Sequence, residues 1–218
     1  MVIQDTISDL SGFATWIRSN YVPSIFSSVE FDSTNNVLSA FDADGYKVME
    51  IKSTYLRVYR NTGGTSYIGA TTSGFNASGN VIGCDNGFIA ELSCVNSSTG
   101  DVATMPIAIS KTNNDKVAVM FSSSPTTNRA NNCKTFVHGA IGDSTTVATS
   151  TSFTPESSQQ TVLTPFATNA KQGDVSYTPN AFYIPVCQSR AMGIGKFYLG
   201  YDTYVSNGYW AIKDNRSS

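Results

Sequence analysis

Residues 37–51 constrain the fold most. Val37-Leu38-Ser39-Ala40-Phe41 and Tyr46-Lys47-Val48-Met49-Glu50-Ile51 flank the turn Asp42-Ala43-Asp44-Gly45. Asp-Gly between two alternating runs is a β-hairpin signal, because tight hairpin turns need positive φ, which glycine adopts freely. The pattern recurs. Val81-Ile82-Gly83-Cys84 turns at Asp85-Asn86-Gly87 into Phe88-Ile89-Ala90-Glu91-Leu92. Met105-Pro106-Ile107-Ala108-Ile109-Ser110 turns at 112–115 into Lys116-Val117-Ala118-Val119-Met120-Phe121. That last run is apolar without alternation, the mark of a strand buried on both faces. Residues 54–60 form another strand, with Tyr55, Arg57 and Tyr59 on one face and Leu56 and Val58 on the other. Phe136-Val137-His138 and an edge segment within 144–154 are further strands. Residues 61–80, rich in Gly, Thr and Ser, read as loop or short irregular strand.

The stretch 195–214 is the densest aromatic run in the chain. Phe197 and Leu199 point one way and Lys196 and Tyr198 the other. After Asn207-Gly208, Trp210 and Ile212 share a face opposite Tyr209, Ala211 and Lys213. Phe197, Leu199, Trp210 and Ile212 are expected in the core. Tyr198, Tyr201 and Tyr209 are expected on a contact surface. Four prolines between 155 and 185 favour extended segments over helices.

One helix is expected, over residues 5–22. Asp5 or Thr6 caps its start, and Val22-Pro23 stops it, since the residue before proline avoids the helical region. Ile7, Leu10, Phe13, Trp16 and Ile17 make a broad apolar stripe. The stripe packs on the chain's own sheet or serves as a docking or oligomerisation face. The fold class is therefore mainly β: antiparallel hairpins in a sandwich or barrel-like domain, with one N-terminal α-helix. The division is an N-terminal helix over 1–24 and a single β-rich domain over 25–218.

Composition narrows the function classes. Charged residues are 14% of the 218, against roughly 25% in an average globular protein. With 40% hydrophobic residues the chain is not of the disordered type. The net charge of −2 comes with no dominant Lys/Arg cluster, so nucleic acid is not an expected partner. No apolar run approaches the ~20 residues of a membrane-spanning helix. The N-terminus has neither the basic nor the apolar region of a signal peptide, so synthesis in a cytoplasm is expected.

Few residues suggest chemistry. His138 is the only histidine, and the nearest carboxylate in sequence is Asp143. Gly142-Asp143-Ser144 has the form of an esterase block, but no histidine follows it to act as base. Glu30, Glu50, Glu91 and Glu156 are scattered and nominate no catalytic pair. Asp42 and Asp44 lack the remaining ligands of a calcium loop. Gly193-Ile194-Gly195-Lys196 lacks the rest of a phosphate loop. Cys84, Cys94, Cys133 and Cys187 have no metal-type spacing, and the turn at Asn86-Gly87 disfavours a Cys84–Cys94 disulfide by register. No enzyme activity, metal or cofactor is expected. Tyr55, Arg57 and Tyr59 can stack sugars or single-stranded nucleic acid, and equally can form an ordinary solvated strand face.

Several phrases together carry a resemblance. They are Leu10-Ser-Gly-Phe-Ala-Thr-Trp-Ile17 running to Tyr21-Val-Pro23, and Ile109-Ser-Lys-Thr-Asn-Asn-Asp-Lys-Val-Ala-Val119. Leu163-Thr-Pro-Phe-Ala-Thr-Asn169, Val175-Ser-Tyr-Thr-Pro-Asn-Ala-Phe-Tyr183 and Tyr204-Val-Ser-Asn-Gly-Tyr-Trp-Ala-Ile-Lys-Asp214 complete the set. They resemble small β-rich proteins encoded among the virion genes of tailed bacteriophages and prophages. The resemblance spans most of the chain outside 61–80 and 122–132. It implies a virion structural role by assembly, with other virion proteins and further copies of the chain as partners. The alternative is a receptor-binding module for a host-surface glycan, with Tyr55, Tyr59, Tyr198, Tyr201 and Tyr209 as its aromatics.

Overall fold

A computed structural model describes residues 1–59, 67–95, 99–111, 117–122, 133–138 and 147–148. It also describes 163–165, 170–172, 175–177, 182–185, 194–199, 201–208 and 210–214. The protein is mostly β, with antiparallel sheets and a single helix near the N-terminus among the described residues.

The central layer is a seven-stranded sheet. It begins with β1 (Ile3–Ile7), followed by helix α1 (Leu10–Tyr21). A second sheet holds β2 (Ser28–Asp32), β3 (Val37–Phe41), β4 (Lys47–Lys52), β5 (Tyr55–Tyr59) and β6 (Tyr67–Thr71), a meander in sequence order. The chain then returns to the central sheet with β7 (Gly74–Cys84), β8 (Gly87–Val95), β9 (Val102–Lys111), β10 (Val117–Ser122), β11 (Cys133–Val137) and β12 (Val147–Ala148). Its order is β1-β7-β8-β9-β10-β11-β12, so residues 3–7 form one edge beside a strand that begins at residue 74.

The C-terminal third contributes β13 (Leu163–Pro165), the pair β14 (Ala170–Gln172) and β15 (Val175–Tyr177), and β16 (Phe182–Pro185). It closes with β17 (Ile194–Leu199), β18 (Asp202–Asn207) and β19 (Ala211–Lys213). These give a five-stranded sheet ordered β13-β16-β19-β18-β17.

Alternation explains the layering. On one side of the central sheet Phe88, Ala90 and Leu92 of β8 stand beside Met105, Ile107 and Ile109 of β9 and Val117, Val119 and Phe121 of β10. All are buried in one core with Leu38, Met49, Ile51, Leu56 and Val58 of the β2–β6 sheet. On the other side Ile82, Ile89, Ala108 and Met120 are buried too. There β18 packs against β7 and β19 against β8, with Tyr204, Val205, Trp210 and Ile212 buried. Asn86 Nδ2 donates to the Lys213 carbonyl at 3.3 Å across this seam. The central sheet is thus covered on both faces, as the unbroken apolar run 117–121 requires.

The helix sits between the central sheet and the β2–β6 sheet. Its buried residues are Leu10, Phe13, Ala14, Trp16, Ile17 and Tyr21, a 3–4 spacing with Trp16 at its flank. Phe13 and Trp16 meet the Phe88 ring edge-on at 6.0 and 5.3 Å, and Tyr21 lies 4.9 Å from it. Each such side chain gains roughly 1.5–3 kcal/mol from leaving water. The helix starts later than residue 5: Asp9 caps it, accepting from Gly12 N at 2.6 Å. Residues 3–7 join the sheet instead, because β7 offers five ladder positions and the first turn of an isolated helix offers few hydrogen bonds. Of the two readings of 61–80, loop or short irregular strand, β6 and the first part of β7 show strand over the described residues 67–71 and 74–80. Cys84 pairs with Gly87 and Cys94 with Phe75, so the register keeps the two thiols apart. Both thiols are free and buried. Burial pushes each up to about 12, so they remain protonated and unreactive.

Candidate contact surfaces

The outer face of the β2–β6 sheet carries the first candidate. Tyr55, Arg57 and Tyr59 share one side of β5, and Leu56 and Val58 are buried on the other. The register places Glu50 opposite Arg57 and Tyr67 opposite Tyr59. The Arg57 guanidinium lies 3.9 Å from the Tyr55 ring centre and 4.2 Å from that of Tyr67, stacked on both. The Tyr59 and Tyr67 rings meet edge to face at 5.9 Å.

Glu50 anchors this face from below. It accepts from the Tyr55 hydroxyl at 2.7 Å and from Lys47, and Arg57 stands at 3.8 Å. Burial raises its carboxyl, but the hydrogen bonds from Lys47 and Tyr55 and the charges of Lys47 and Arg57 outweigh that and hold it below the usual range. Burial, and then the bond to Glu50, push the Tyr55 phenol up to about 12. The result is a preorganised array of aromatic rings and one delocalised cation, with Tyr67 half open to solvent. Tyr67, Lys47 and Glu50 were not legible as members. Tyr67 lies within a Gly- and Thr-rich stretch; only the alternation Tyr67-Ile68-Gly69-Ala70 marks it as strand.

The second candidate is the β17–β18 hairpin. Tyr198 is 72% exposed and Tyr201, at its turn, fully so; Ile194 is 70% exposed at the start of the same edge strand. Lys196 lies 5.9 Å from the Tyr198 ring and pairs with Asp214 at 3.2 Å. The hydrogen bond it donates to Asp214 raises the Lys196 ammonium. Tyr209 lies outside the described residues, as do the side chains of Phe197 and Leu199. The two aromatic surfaces stand on opposite sides of the central sheet. The structure does not bring them together.

The N-terminal stripe is not a surface. Ile7, Leu10, Phe13, Trp16 and Ile17 are each 6% exposed or less and pack within this chain. Ile7 belongs to β1 rather than to the helix.

His138 has a partner that sequence distance hid. Its Nε2 lies 2.8 Å from Asp42 Oδ2, and its Nδ1 lies 3.1 Å from the Tyr59 carbonyl. Asp143, the carboxylate expected near it, lies outside the described residues. Asp42 also accepts from Asp44 N and Tyr46 N, closing the β3–β4 turn. A triad histidine turns one nitrogen to the carboxylate and the other to a nucleophile. Here the second nitrogen faces a backbone carbonyl, so this pair joins β11 to the β2–β6 sheet. Among the described residues, no group of three or more His, Cys, Asp or Glu side chains is placed to hold a metal ion. No family model, no curated protein and no solved structure matches this chain.

Proposed function

We propose that this protein is a structural subunit of a tailed-bacteriophage virion and acts by assembly, made in the bacterial host and retained in the particle. The observation that carries the reading is the set of large side chains left in water on β17, a terminal strand among the described residues, and at the turn after it: Ile194, Tyr198 and Tyr201. Exposed apolar groups gathered at one place mark an interaction surface. Support also comes from the virion-type phrases of the sequence and from its low content of charged residues, 14%. The partners are other virion proteins and further copies of the chain. Mass spectrometry of gradient-purified virions tests the assignment: the protein is expected among particle components, and its absence from intact particles sinks the proposal. Electron microscopy of those particles would then locate it.

A second reading is favoured by the Arg57 stack. Flat aromatic faces at fixed spacing suit the apolar faces of sugar rings, which would make this a host-glycan receptor module. Binding to host-wall polysaccharide, weakened by Tyr67→Ala and Tyr198→Ala, would distinguish it from pure assembly; no binding across a broad glycan panel counts against it.

A further inference from the structure

We infer that the cleft between the edge of the central sheet and the β17–β18 hairpin is a binding site for a neutral, hydroxyl-rich ligand of the saccharide class. The cleft encloses ≈ 670 Å³, within the roughly 300–1,000 Å³ of small-molecule sites. One wall is built by register. Thr6 of β1 pairs with Asn80 of β7, and Asn80 pairs with Glu91 of β8. Directly opposed residues stand on the same side of a sheet, so three polar side chains form one row across three strands. The neighbouring row on that side runs Gln4, Ile82, Ile89 and Ala108 and turns apolar and buried after Gln4. The polar row lies where the C-terminal sheet stops covering the central one. The other wall is the cross-strand pair Ile194 and Asn207.

The polar groups are held in place before any ligand arrives. Thr6 Oγ1 donates to Asn80 Oδ1 at 3.1 Å, which fixes the Asn80 amide with its NH₂ turned away from Thr6. Trp210 N donates to Asn207 Oδ1 at 2.8 Å, which fixes that amide as well. Glu91 offers acceptors only, while the amides of Gln4, Asn80 and Asn207 offer both donors and acceptors. Ile82 and Ile194 give the cleft an apolar portion. Among the described lining residues there is no Lys, Arg or His. A ligand that fits must donate several hydrogen bonds, accept others, present C–H surface and carry no negative charge beside the Glu91 carboxylate. Sugar hydroxyls and ring faces meet all four conditions; phosphates, nucleotides and uronic acids fail the last.

This inference shares its ligand class with the second reading above but not its location, since that reading seats the sugar on the tyrosines. The test is calorimetric titration of the full-length protein with glucose, galactose, N-acetylglucosamine, cellobiose and lactose, with glucuronate and galacturonate as charged counterparts. At least one neutral sugar is expected to bind, with its uronate about tenfold weaker or worse. Glu91→Gln is expected to weaken the neutral sugar by about tenfold through loss of a charged acceptor, and to narrow the gap to the uronate. Asn80→Trp, at an exposed position on the rim, is expected to block the cleft and supplies the test if Glu91→Gln fails to fold. Binding that survives both variants, or uronates that bind as tightly as neutral sugars, overturns the site. Binding lost in Tyr198→Ala or Tyr67→Ala but intact in both cleft variants overturns the cleft and leaves the tyrosine reading standing. No sugar binding at all removes both and leaves the virion assignment to mass spectrometry.

Discussion

Gly83 shows how one missing methyl positions the helix. A Cβ there would sit 1.8 Å from Tyr21 Oη and 3.1 Å from the Gly87 carbonyl oxygen. The absent side chain lets Tyr21 reach into the central sheet and donate to that carbonyl at 3.0 Å. Burial raises the phenol, so the donor stays protonated. Gly83→Ala should destabilise the protein by about 1–3 kcal/mol through overpacking. Adding Tyr21→Phe, which removes the clashing oxygen, should recover part of that loss, although Tyr21→Phe alone costs about 1 kcal/mol for the hydrogen bond. Urea denaturation of the single and double variants measures both terms; additive losses would show that the two residues do not meet as described. At a second position, His138 and Asp42 join segments 96 residues apart. His138→Ala should cost about 1–3 kcal/mol, because His138 is 2% exposed and its loss removes one of the hydrogen bonds to the Asp42 carboxylate. A double-mutant cycle with Asp42→Ala should give a coupling of about 0.5–3 kcal/mol; a coupling of zero would rule the contact out.

At the scale of elements, the β4–β5 face makes stability depend on pH through Glu50. Its folded carboxyl lies below the ordinary value of 4.5. The stability it contributes is therefore fully present above that value and is lost as pH falls through the lower, folded one. Melting temperatures of the wild type and of Glu50→Gln should differ most near neutral pH and converge on acidification. A constant difference down to strongly acid pH would remove Glu50 as the cause. The strand itself was legible: Tyr55, Arg57 and Tyr59 share a face because strand side chains alternate with period two. The stacking of Arg57 between two tyrosines was not, because Tyr67 comes from β6, in a stretch whose Gly and Thr content reads as loop or short irregular strand. The helix shows the same division. Its apolar spacing is local and visible, whereas its start at Leu10 depends on β1 pairing with a strand more than 70 residues later.

For the whole molecule, the β17 edge strand of the C-terminal sheet, with Ile194 and Tyr198 exposed, is where our proposal places association. Light scattering should report a mass that is a multiple of the chain mass, and Tyr198→Ser with Tyr201→Ser should shift it toward the single chain. Retention of the full assembly by that double variant would move the contact elsewhere, with the β5–β6 face next in line. The sequence by itself determined the class of fold and the sidedness of most strands, because alternation and turn chemistry act over a few residues. It also marked 117–121 as covered on both faces, and Trp210 and Ile212 as core. Only the tertiary structure decided which face each layer covers. It also decided that Ile7, Leu10, Phe13, Trp16 and Ile17 are enclosed by their own chain, and that Thr6, Asn80 and Glu91 line up across one cleft. The physical reason is sequence separation: these outcomes rest on pairings between distant segments, and no local periodicity records which distant strand will supply the partner.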